Sequence, residues 1–168
     1  MTRPIAFIGM PGAGKSTVAR LVADALRLPF ADSDSCVETR LGGTVAELFT
    51  RLGEPEFRRV EREVVLELSL QTNLVIALGG GAVLQSEREI RGRCTVVLLT
   101  RSLDLIFDSL EQQAGQRPLA KSRTDLERTL EARREIYART AHITVENDGA
   151  PDAAAHHILK ELHICGYW

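Results

Sequence analysis

Along the chain, short apolar runs alternate with longer stretches in which apolar residues recur every three or four positions, a pattern of strands joined by crossover helices. The runs Ile5–Ile8, Phe30–Asp32, Leu74–Leu78, Thr95–Leu99 and Ile143–Val145 read as strands. Between them, helical spacing covers Gly14–Arg27, where Val18, Leu21, Val22 and Ala25 are expected to face the sheet, then Asp34–Leu41, Thr44–Leu52 and Pro55–Gln71. Further helices are predicted over Ser86–Gly92, Ser102–Leu110, Thr124–Ala138 and Asp152–Leu162. Gly53 suits a helix C-cap and Pro55 a helix start. The expected fold is α/β, a doubly wound, five-stranded parallel sheet flanked by helices.

Such a sheet gathers ligands at the carboxyl ends of its strands. A length of 168 residues suits a single domain, 1–168, and hence one principal site. The stretch 111–123 is polar, holds Gly115 and Pro118 and lacks apolar periodicity, which makes it the candidate lid.

Composition narrows the partners. With 21 Lys+Arg against 23 Asp+Glu, no broad field favours nucleic acid or an anionic membrane, so an anion must be caught locally. Cys36, Cys94 and Cys165 are widely spaced and odd in number, which argues against a disulfide framework or a zinc site. His156 and His157 are adjacent, and His142 and His163 lack ligand-spaced companions. The charged and Pro-containing N-terminal region does not read as a signal peptide or a membrane span, so a soluble cytoplasmic protein is expected.

The most specific motif is Gly9-Met10-Pro11-Gly12-Ala13-Gly14-Lys15-Ser16, a complete G-x-x-x-x-G-K-[ST] between a strand and a helix. Its glycines let backbone amides curl around a phosphate, the helix start adds its positive end, Lys15 adds a point charge, and the Ser16 hydroxyl suits Mg²⁺. ATP is the expected nucleotide, held by Gly12, Ala13, Gly14, Lys15, Ser16 and Thr17. No Asn-Lys-x-Asp guanine signature and no Asp-x-x-Gly switch occurs.

The strand Leu74–Leu78 ends in Gly79-Gly80-Gly81 instead of an acid, so the second metal anchor must come from elsewhere. Asp32-Ser33-Asp34 is the nearest supply, although an N-cap for the next helix is an equally good reading of that pattern. The three glycines leave space for a ligand to approach the main chain.

In order, the phosphate loop, Asp32-x-Asp34, Phe57-Arg58-x-x-Glu61, Gly79-Gly80-Gly81-Ala82, Arg117-Pro118-Leu119 and Arg133-x-x-x-Tyr137 resemble the shikimate kinase family, over nearly the whole chain. The resemblance implies a P-loop fold like that of the nucleoside-monophosphate kinases, with a helical substrate-binding region over 33–62. It implies ATP-dependent phosphorylation of the shikimate 3-hydroxyl, a step towards chorismate and the aromatic amino acids, by a monomer that binds ATP and shikimate.

Carried over by position, Asp34, Lys15 and Arg117 resemble the catalytic residues, and Ser16 and Asp32 the Mg²⁺ site. Phe57, Arg58, Gly79, Gly80, Gly81 and Arg133 resemble shikimate ligands, with Glu61 holding Arg58.

The sequence also departs from the family. Ser109-Leu110-Glu111-Gln112 lacks the arginine that family members often stack on adenine, which leaves adenine to apolar side chains and the loop Asn147–Pro151, with Pro151 the named contact. Glu135 replaces a family proline, so the register at Arg133 is open by one and Arg134 is the fallback. Other readings are a kinase for another carboxylate-bearing polyol such as gluconate, or a nucleotide-binding regulatory module without turnover.

Overall fold

A computed structural model describes residues 2–112 and 122–166. Its strands are β1 (Ile5–Ile8), β2 (Phe30–Asp32), β3 (Val75–Ala77), β4 (Thr95–Thr100) and β5 (Ile143–Glu146). They pair in parallel in the order β2-β3-β1-β4-β5, with Ile5 beside both Val75 and Thr95. The described helices are α1 (Lys15–Leu26), α2 (Ser33–Leu41), α3 (Val45–Leu52), α4 (Glu54–Ser69), α5 (Val83–Arg93), α6 (Leu103–Gln112), α7 (Arg123–Thr140) and α8 (Pro151–Ile164).

Because strand side chains alternate, each central strand feeds two cores. Ile5, Phe7, Val75, Ala77, Val97 and Leu99 meet α1 and α8 on one face. Ala6, Ile8, Ile76, Leu78, Val96 and Leu98 meet α5, α6 and α7 on the other. That double covering is why β1 and β3 read as unbroken apolar runs, whereas edge strand β5 buries only Ile143 and Val145. A third cluster, Val37, Leu48, Phe57, Val60 and Val64, joins α2, α3 and α4 beside the sheet.

The expected element order is the observed one, with local differences. Helix α1 turns Val18, Ala19, Val22 and Ala23 inward and leaves Ala25 exposed, because its contact stripe also meets Ala154 and Ala155 of α8. Small residues on both sides let those two helix backbones come close. Helix α5 starts at Val83 instead of Ser86; its first turn is separated from the rest by a kink at Ser86 (φ −131°). Apolar Val83 and Leu84, following the glycines, carry no N-cap signal, so this turn was hidden in the sequence. No helix of the described residues is long and apolar enough to cross a membrane.

Candidate active site

The phosphate loop leaves β1 at Gly9 and delivers the chain into α1 at Lys15. Its curl depends on left-handed backbone at Gly12 (φ +80°) and Gly14 (φ +88°), which side-chain-bearing residues rarely adopt. Lys15 is buried, and its ammonium donates to the carbonyls of Gly9 (3.0 Å) and Met10 (2.9 Å). Ala13, expected among the nucleotide ligands, is itself buried and uses its N–H within the loop, donating to Met10 O at 3.2 Å.

Asp32 caps the next helix and also bonds to Ser16. One oxygen caps α2, accepting from the N–H groups of Asp34 (3.0 Å) and Ser35 (3.4 Å). The other accepts from the Ser16 hydroxyl at 2.6 Å. Among the described residues no cluster of three His, Cys, Asp or Glu could hold a metal by itself. The Ser16–Asp32 pair does suit Mg²⁺, which prefers hard oxygen donors, keeps several waters and takes its remaining ligands from phosphate.

The glycine triplet is the meeting point of Ser33, Asp34, Arg58, Glu61, Arg133 and Tyr137. Gly79 donates its N–H to the buried Ser33 hydroxyl (2.8 Å), tying the end of β3 to α2. A Cβ on Gly79 would stand 2.3 Å from Asp34 Oδ1 and 3.0 Å from Glu61 Oε1, so both carboxylates lie against this glycine. Gly80 O accepts from Arg133 Nη1 (2.8 Å) and from the Tyr137 hydroxyl (2.7 Å). Gly81 lies under the Arg58 guanidinium, where a Cβ would be 2.5 Å from Nη1.

Arg58 is buried and donates to Glu61 at 2.6 Å, with its guanidinium carbon 5.3 Å from the Phe49 ring centre and 5.6 Å from that of Phe57. Burial pushes the Glu61 carboxyl upward; Arg58 opposes that rise, Asp34 adds to it and Arg133 counters it. Burial likewise raises the Tyr137 hydroxyl against the pull of Arg133. Phe57 is buried and tilted against Phe49 at 4.3 Å, so it supports Arg58 from beneath instead of opening to solvent. Arg134 is exposed and paired with Glu131 (3.1 Å), while Arg133 reaches the glycine triplet.

One cleft of about 330 Å³ joins the phosphate loop to Asp34 and Gly79, whereas Phe57, Arg58, Gly80, Gly81 and Arg133 are not among its lining residues. Gly12, Gly14, Lys15, Ser16 and Thr17 line it together with Asp32, Asp34, Leu78 and Gly79. The cleft is also lined by Gly149 and Pro151, from the loop expected to meet adenine, and by Arg101, Ser109 and Asn147. Arg101 had no motif to mark it. Asn147 belonged to the loop assigned to adenine, yet its amide turns to the Ala13 carbonyl (2.9 Å). Arg117, Pro118 and most of the segment proposed as a lid lie outside the described residues.

Comparison with known proteins gives concordant matches. The sequence model of the family described as shikimate kinase matches residues 11–163. A shikimate kinase of Paracidovorax citrulli is 40% identical over 172 aligned residues, covering 96% of this chain and 93% of that protein. The structure of shikimate kinase from Acinetobacter baumannii in complex with shikimate superposes with a TM-score of 0.92 at 34% identity, covering 96% of this chain and 93% of that one. A gluconokinase from Sinorhizobium meliloti shares the fold alone, with a TM-score of 0.62 at 17% identity over 98% of this chain and 93% of that one.

Proposed function

This chain belongs to the shikimate kinase family, and from that premise we infer that it transfers the γ-phosphoryl group of ATP to the 3-hydroxyl of shikimate, giving shikimate 3-phosphate and ADP. The observation that carries the assignment of roles is that one cleft is lined both by the phosphate loop and by Asp34 and Gly79, which supports a shared site for donor and acceptor. Phosphoryl transfer asks a protein mainly for alignment and charge stabilisation.

In this reading the loop amides and Lys15 hold the polyphosphate. Ser16, with Asp32 acting through water, would hold Mg²⁺, which when bound neutralises charge on the phosphates. Asp34 orients the acceptor hydroxyl and takes its proton. Arg58, fixed by Glu61 and the two phenylalanines, and Arg133, fixed at Gly80, grip the shikimate carboxylate with planar guanidinium forks. Arg117 is assigned the approach to the transferring phosphoryl group from its sequence position.

The test is ADP release from ATP and Mg²⁺ with shikimate, with gluconate or with no acceptor, repeated with Asp34→Asn. Turnover should require shikimate, and the substitution should lower kcat about a hundredfold or more, as loss of a general base does. Equal turnover with gluconate would refute the choice of acceptor. Unchanged kcat in Asp34→Asn would remove that residue from the chemistry.

A further inference from the structure

Two cleft residues without a part in that scheme hydrogen-bond to carbonyls of the phosphate loop. Asn147 follows β5 and donates from Nδ2 to Ala13 O at 2.9 Å. Arg101 follows β4 and donates from Nη1 to Gly12 O at 3.1 Å. Consecutive loop carbonyls are therefore held by the ends of consecutive strands of the sheet.

We propose that Asn147 and Arg101 are positioning residues that hold the Gly12-Ala13-Gly14 backbone in its phosphate-binding shape, acting through the loop. In a trans peptide the C=O and N–H point in opposite directions, so fixing one aims the other. Holding Gly12 O turns the Ala13 N–H into the turn it closes on Met10 (3.2 Å). Holding Ala13 O directs the Gly14 N–H the opposite way, on the side where Gly14 lines the cleft.

The surroundings favour this role. Left-handed glycines have wide conformational freedom, and an anion site built on them gains from being fixed before the ligand arrives. Asn147 is only 3% exposed and touches Gly14 so closely that a Cβ there would stand 2.6 Å from Nδ2. Facing a carbonyl, the amide must present its NH2, and its Oδ1, like Arg101 Nε, has no protein partner. What the position uses is the single donor to Ala13.

Titration calorimetry of Asn147→Leu, nearly isosteric and uncharged, with ADP, inorganic tripolyphosphate and shikimate separately tests this. Both phosphate ligands should bind about tenfold more weakly, as loss of a donor at a buried carbonyl implies, while shikimate affinity stays within about twofold. Asn147→Ala serves the same test if the leucine variant does not fold, and Arg101→Lys should give a smaller loss in the same direction. Wild-type affinity for tripolyphosphate would overturn the proposal, whether or not ADP weakens, because the residues would then act on the nucleoside or on nothing. A smaller binding-competent fraction with unchanged affinities would also overturn it, by showing a purely structural role.

Discussion

Asp34 and Gly79 share a space with no room for another methyl group. The atom that a Cβ at residue 79 would strike is the tip of the Asp34 side chain, which can rotate aside without moving backbone. Gly79→Ala should therefore keep its unfolding free energy from urea titration within about 1 kcal/mol of the parent but lose most of its kcat, because the displaced carboxylate no longer meets the acceptor. The adjacent arginines separate just as cleanly. Arg133→Ala should raise the KM for shikimate about tenfold or more, through loss of a charge-assisted contact. Arg134→Ala, which loses only an exposed ion pair with Glu131, should leave it unchanged. Parallel steady-state titrations of both variants decide between the two registers that the sequence left open.

Among the elements, α3 shows how local chemistry supports the acceptor side. Thr44 and Glu47 form a reciprocal capping box at its start, and Leu48 anchors its buried face in the third cluster. Thr44→Ala should cost about 1 kcal/mol of stability by chemical denaturation while the KM for ATP is unaltered, since α3 does not line the cleft. The central strands were legible in the sequence because both of their faces are buried, and α4 because proline and acids mark its start. The inward face of α1 was less legible, because alanines pack as well as valines when the facing helix also presents alanine. The phosphate loop could be read as a contiguous motif, whereas its supports could not: Asn147 lies 134 positions from Ala13, and Arg101 lies 89 from Gly12. Only the strand order β1-β4-β5 brings those side chains to one place.

For the molecule as a whole, pH sensitivity should arise in part where α7 hands over to β5. His142 Nδ1 accepts from the Val96 N–H at 3.0 Å. Burial lowers its pKa from the ordinary 6.5, and the positive charges of Arg91 and Arg3 lower it further. Because the unfolded chain takes up the proton first, this contribution is complete above pH 6.5 and declines as the pH falls from there toward the depressed folded value. Denaturation midpoints measured on either side of pH 6.5 should show the decline, and replacing His142 with Gln should flatten it. The parallel sheet also has two unlike rims: the carboxyl ends of the strands carry the cleft, while the rim at which Ile5, Phe30, Val75, Thr95 and Ile143 begin carries none of the residues assigned a role. A fluorophore or a solid support joined through the exposed turn residues Arg27 or Thr72 would leave the mouth facing outward, which makes those turns natural handles for tethering.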